Sequence, residues 1–149
     1  MSDDLREETR QTSTFEEVLA RDGRLVYRNK GVSMMPLLRQ ERDLFVIERN
    51  SQRLCRFDVA LFRRGKQYVL HRVVKVLPEG YIIRGDNCIE NEPVCEEQVL
   101  GVMTSFVRDG KETAVTVPAY RVYVVIIYAL YPLRVVAVKV KRGLKKILK

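Results

Sequence analysis

Tyr68–Leu77 is rich in β-branched residues and is followed by Pro78-Glu79-Gly80 and then by Tyr81–Arg84. A β-prone run, a turn-forming triplet and a second run predict an antiparallel hairpin. The pattern recurs: Gln98–Arg108 and Lys111–Val117 flank Asp109-Gly110. Asp43–Arg49, with Leu44, Phe45, Val46 and Ile47, and Arg56–Arg63, with Phe57, Val59, Ala60, Leu61 and Phe62, add two more strands. Many short strands joined by turns predict a mainly β fold, either a folded sheet or a small barrel.

Helix enters at the two ends of the chain. Ser13 or Thr14 can cap a short N-terminal helix, with Glu16 or Glu17 closing a capping box and Gly23 ending it. Phe15, Val18 and Leu19 give that helix one apolar face, and a strand over Arg24–Arg28 follows. Residues 1–12 are polar and charged without apolar periodicity, and are expected to form a flexible lead-in. The expected organisation is this lead-in, a β domain over 13–118 and a helical tail over 119–149.

The 149 residues suffice for one core without metal or disulfide support. Cys55, Cys88 and Cys95 are odd in number, contain no C-x-x-C pair and meet a single histidine, so reduced cysteines and no metal or cofactor are expected. The net charge of +8 is localised. From Tyr120 onward there are eight cations and no acid, while residues 1–119 carry 19 cations against 19 acids. A neutral body therefore bears a basic appendage.

Within that appendage, Val122 to Leu133 are twelve consecutive residues without charge, about 18 Å as a helix and short of a bilayer's hydrocarbon core of about 30 Å. Beyond Pro132, Leu133, Val136, Val140, Leu144, Ile147 and Leu148 recur at helical spacing among cations, which predicts a basic amphipathic helix. Tyr120, Tyr123, Tyr128 and Tyr131 are of the type favoured at a membrane interface. The expected partner is an anionic membrane surface, met through Arg134, Lys139, Lys141, Arg142, Lys145, Lys146 and Lys149. Insertion of 122–140 and packing on the protein's own sheet are the alternatives. A nucleic-acid tail is disfavoured because the cations alternate with large aliphatics.

The chemistry-bearing residues lie between the ends. Ser33 stands in Gly31-Val32-Ser33-Met34-Met35-Pro36, which Gly31 and Pro36 mark as a turn. His71, the only histidine, lies in an apolar strand, and Asp86 lies in Gly85-Asp86-Asn87. A serine hydroxyl needs a base to take its proton, histidine titrates in the right range, and a carboxylate on its far nitrogen would fix the tautomer. Singly, each has a plainer reading: a turn serine, a core histidine, an aspartate bonding its own turn.

These residues resemble the motifs of the type I signal peptidases and the wider signal-peptidase/repressor-peptidase superfamily. Ser33-Met34-Met35-Pro36 resembles the S-M-x-P nucleophile box, and Phe57-Asp58-Val59-Ala60-Leu61-Phe62 the G-D-[IV]-V-x-F strand with Phe57 in place of glycine. His71-Arg72-Val73-Val74 is similar to the H-R-V of the archaeal and endoplasmic-reticulum type, where bacterial members carry lysine, and Gly85-Asp86-Asn87 is similar to the G-D-N box. The resemblance spans Arg24 to Val107. It implies a mostly β peptidase fold and peptide-bond hydrolysis by Ser33 with His71 as base.

The sequence departs from that pattern in three places. The histidine-type orienting acid falls six residues after the first Asp of the G-D-N box, where Glu92 stands, so Asp86 and Glu92 both remain candidates. Gly31 replaces a serine that can assist the oxyanion, which leaves backbone N–H groups, that of Ser33 included, as donors. An apolar N-terminal anchor is not seen, so the expected location is the cytoplasmic, inner face of the membrane. The expected function is a serine endopeptidase acting on a leader-type precursor. Its alternative is a non-catalytic module of the same fold that binds a peptide or the membrane.

Overall fold

A computed structural model describes residues 13–148; the lead-in expected over 1–12 and Lys149 lie outside the described residues. Helix α1 (Phe15–Asp22) is followed by β1 (Arg24–Arg28), β2 (Leu44–Glu48), β3 (Val59–Arg64), β4 (Gln67–Leu77), β5 (Gly80–Arg84), β6 (Glu92–Cys95), β7 (Val99–Arg108), β8 (Lys111–Ala114) and helix α2 (Pro118–Ile147). The mainly β fold with a helix at each end is as expected. Strand β6 and the single 3₁₀ turn after it (Glu96–Gln98) were not foreseen. Pro93 and only four residues give β6 too weak a pattern to read.

All strands pair antiparallel in the order β1-β2-β7-β3-β4-β5-β6, with β8 added to β7. Strand β7 folds the sheet. Its first half pairs with β3 and its second with β2, and Gly101 lies at the crossing. A Cβ there would stand 2.6 Å from both the Glu48 carbonyl oxygen and Ile47 Cγ2, so only glycine lets the strands approach.

The folded sheet has two cores, and β3 is buried on both faces. Val59 and Leu61 join Leu38, Phe45, Ile47, Met103 and Phe106, while Ala60 and Phe62 join Val73, Tyr81, Ile83 and Val94. That is why Val59–Phe62 is a continuous apolar run rather than an alternating one.

Thr14 caps α1, accepting from the Glu17 N–H at 3.2 Å while Glu17 accepts from the Thr14 N–H at 3.1 Å. Gly23 ends the helix in a left-handed conformation (φ 69°). The tail is one continuous helix, about 45 Å long, with Pro132 inside it rather than at a boundary. By length and composition α2 could cross a membrane. All three cysteines are free, and Cys55 and Cys95 are exposed.

Candidate active site

The segment carrying Ser33 is irregular and is tied down from both ends. Asn29 donates through Nδ2 to the carbonyls of Gly31 (2.9 Å) and Leu38 (3.1 Å). Asp43, fully buried, takes a fork from Arg39 and the Arg39 N–H at 2.7 Å. Met34, 1% exposed, drives the turn into the first core, which explains a large apolar residue beside a turn serine. Asn87 completes the clamp: its N–H donates to the Ser33 carbonyl at 2.8 Å and its Nδ2 to the Val32 carbonyl at 3.1 Å.

Gly85 makes that clamp possible. A Cβ on it would lie 2.7 Å from the Ser33 carbonyl oxygen and 3.1 Å from His71 Cδ2. The backbone at Gly85 is thus wedged between the Ser33 turn and the imidazole.

His71 is 9% exposed on β4, directly opposite Ala60 on β3, with its ring edge-on to Phe62 at 6.1 Å. Its Nδ1 lies 3.1 Å from Oε1 of Glu92, the first residue of β6. A neutral ring in that pairing carries its proton on Nδ1 and leaves Nε2 as an acceptor. Burial holds its pKa below the ordinary histidine value; the Glu92 charge and hydrogen bond oppose this, and the Arg64 cation reinforces it.

Of the two candidate acids, Glu92 contacts the histidine and Asp86 does not. Asp86, 5% exposed, receives both prongs of Arg72, Nε to Oδ1 and Nη2 to Oδ2, each at 2.8 Å. Arg72 also donates to the Phe57 carbonyl and to Tyr120 Oη, both at 2.9 Å, and Tyr123 donates its hydroxyl to Asp86 at 2.8 Å. Asp86 therefore anchors α2 to the sheet. Phe57, where the resembled family carries glycine, has a positive φ of 76°, a conformation glycine holds at less cost.

Part of the polar side of helix α2 faces the Asp86–Glu90 segment. Tyr131 donates to the Ile89 carbonyl at 2.8 Å, Arg134 to Asn87 Oδ1 at 2.6 Å and Arg142 to Glu90 at 2.6 Å, while Tyr128 meets Arg56. Two of the seven cations assigned to the membrane thus bind the body. Lys139, Lys141, Lys145 and Lys146 are exposed, and so are Val122, Val125, Ile126, Leu130, Leu133, Val136, Val140 and Leu144 on the side away from the loop. Tyr120, Tyr123 and Tyr131 look inward because a buried Arg–Asp pair and an open carbonyl offer their hydroxyls partners, while Tyr128 stays exposed beside Arg56.

Ser33, His71 and Glu92 line one groove of about 810 Å³, with Gly31, Cys88, Glu90 and Arg64 on its walls. Met34 and Pro36 shape the turn without entering that groove. One wall is Tyr27–Gly31, at and after β1; the other is Gln67–His71 of β4. Among the described residues β1 pairs only with β2, and β5 pairs with β4 only from Arg72 onward. Both walls therefore present unpaired strand edges. Phe15 of α1 closes one end, stacked on Tyr68 at 4.2 Å and edge-on to Tyr27 at 4.7 Å.

Sequence reasoning missed Arg64, Asn29 and Asp43. Arg64 closes an ordinary strand, and only its position opposite Gln67, two residues along the His71 face from Phe62, could have pointed to it. Compared with known proteins, the chain matches no family model and no curated protein.

Proposed function

We propose that this protein is a serine endopeptidase that cleaves a leader-type precursor at a membrane surface. The observation that carries the reading is the convergence of Ser33, His71 and Glu92 on one groove, with Glu92 on Nδ1 of the histidine. A peptide enters extended, adding its backbone to the free edges of β1 and β4. Ser33 Oγ attacks the scissile carbonyl carbon as His71 Nε2 takes its proton. The C–N bond then breaks, the proton passes to the leaving amine, and an acyl-enzyme remains. Water, deprotonated by the same Nε2, releases the acid and restores Ser33. Glu92 stabilises the imidazolium, and backbone N–H groups at the turn serve the oxyanion.

The resemblance of four sequence motifs to signal peptidases supports the reaction class. The aliphatic side of α2, opposite its polar anchors, supports a helix lying along the bilayer rather than across it. Spanning would pull Arg134 and Arg142 away from Asn87 and Glu90. The basic end suits the anionic cytoplasmic leaflet.

The test compares peptides in cells, and with purified protein, for wild type, Ser33→Ala and His71→Ala. Loss of a cleaved product in both variants is expected. A peptide bound tightly yet recovered intact from the wild type would replace catalysis by a binding module. Full cleavage by Ser33→Ala would overturn the nucleophile.

A further inference from the structure

Exposed ion pairs such as Arg21–Asp22 or Lys30–Glu41 join surface charges to each other and contribute little. The pair between Arg64 and Glu92 differs in what its carboxylate already holds. Arg64 Nε donates to Glu92 Oε2 at 3.0 Å and Arg64 Nη2 donates to Oε1, the same oxygen that meets His71 Nδ1. The fork spans β3 to β6 and closes a chain from Arg64 through Glu92 to His71.

We infer that Arg64 is a positioning residue: its guanidinium forks Glu92 and so fixes the carboxylate against Nδ1 of His71. This rests on the peptidase reading and adds a fourth residue to its machinery.

The physical need for such a residue follows from where Glu92 sits. It begins β6, the outermost strand of the sheet, and its side chain is about a quarter exposed. A glutamate has three rotatable bonds, so an unheld side chain would leave His71 for water much of the time. A planar two-pronged donor removes that freedom in a way a lysine cannot. Arg64 reaches the carboxylate because Ala60, Phe62 and Arg64 point to the same face as their partners His71, Val69 and Gln67.

Arg64 has a second consequence. A cation beside the imidazole disfavours a second positive charge, in the same direction as burial. Glu92 and Asp86 act oppositely, Asp86 being neutralised by Arg72, and Tyr27, Arg28, Lys30, Tyr68, Cys88 and Glu90 are the other titratable or charged groups of the groove wall. Arg64 therefore both fixes the acid and keeps it from over-stabilising the imidazolium, leaving a histidine that can give its proton back.

The experiment uses the full chain with Arg64→Met, Arg64→Lys, Glu92→Gln and the Arg64→Met/Glu92→Gln pair. His71 is the only histidine, so its NMR titration is assigned without ambiguity and needs no turnover. Arg64→Met is expected to lower kcat by roughly tenfold with KM within about twofold, and to shrink the fall in His71 midpoint that Glu92→Gln causes, because the freed carboxylate no longer stays on Nδ1. Arg64→Lys keeps the charge without the fork and recovers only part of kcat. In the Glu92→Gln background, Arg64→Met costs no further kcat, because its effect runs through Glu92. Wild-type kcat in Arg64→Met, an unchanged midpoint effect of Glu92→Gln in the Arg64→Met background, or an undiminished kcat cost in the double variant would overturn the inference. Failure of the wild type to cleave any peptide would instead fell the peptidase reading, and the His71 midpoint would still report on Arg64.

Discussion

Asp86 and Arg72 form a two-pronged ion pair in the protein's interior, with side chains 2% and 4% exposed. Two residues of one helix, Tyr120 and Tyr123, complete its hydrogen bonding. The aspartate of the G-D-N motif is thereby committed to architecture, and His71 takes its carboxylate from the next strand.

Removing one partner of a buried pair strands the other charge. Asp86→Ala should cost about 3–5 kcal/mol of stability, read as a lower urea midpoint. Glu92→Gln, at a side chain about a quarter exposed, should shift that midpoint by less than about 1 kcal/mol while lowering peptide cleavage. The reverse pattern would return Asp86 to the role of orienting acid.

The depressed pKa of His71 sets two pH dependences. Cleavage should fall on the acid side with a midpoint below about 6.5, because the ring must be neutral to accept the Ser33 proton. For stability the sign follows from proton binding. Between the folded pKa and about 6.5 the unfolded chain binds more protons at this site. The His71 contribution is thus complete above about 6.5 and is lost as pH falls toward the folded value. Comparing urea melts of wild type and His71→Ala across pH 5 to 8 isolates it; a wild-type acid limb centred above 6.5 would contradict the assignment.

Gly85 admits no side chain. Gly85→Ala places a Cβ 2.7 Å from a backbone oxygen, that of Ser33, which cannot swing aside as a side chain could. The expected result is a stability loss of about 1–3 kcal/mol together with strongly reduced cleavage. A crystal structure of the variant should show the Ser33 turn displaced from His71.

The aliphatic side of α2 can be tested without deleting the helix, whose Tyr120 and Val124 belong to the core. Leu130→Asp with Leu133→Asp should remove most binding to vesicles containing anionic lipid and leave the thermal midpoint within a few degrees. Replacing Lys139, Lys141, Lys145 and Lys146 together by Gln should weaken vesicle binding at least tenfold at low salt and less at high salt, on the order of 1 kcal/mol per cation. Unchanged co-sedimentation of both variants would leave α2 as a structural helix only.

Much of this molecule is legible from local chemistry. The capping box at Thr14 and Glu17, the Gly23 terminator, the turn at Pro78–Gly80 and the β-rich runs each depend on residues a few positions apart, so the chain alone specifies them. The same holds for Ser33 in a turn, His71 in a strand and a long apolar, basic C-terminal helix. Partner choice among distant side chains is different. Whether Asp86 or Glu92 reaches His71 depends on β6 lying beyond β5 and on Arg72 taking Asp86 into the interior first. Tyr120 and Tyr123 are likewise turned toward protein by that same buried pair. Local sequence determines which elements form, because propensity, capping and turn chemistry act over one or two turns of chain. Tertiary packing decides which charges meet, because desolvation and hydrogen-bond geometry are known only once the strands are side by side.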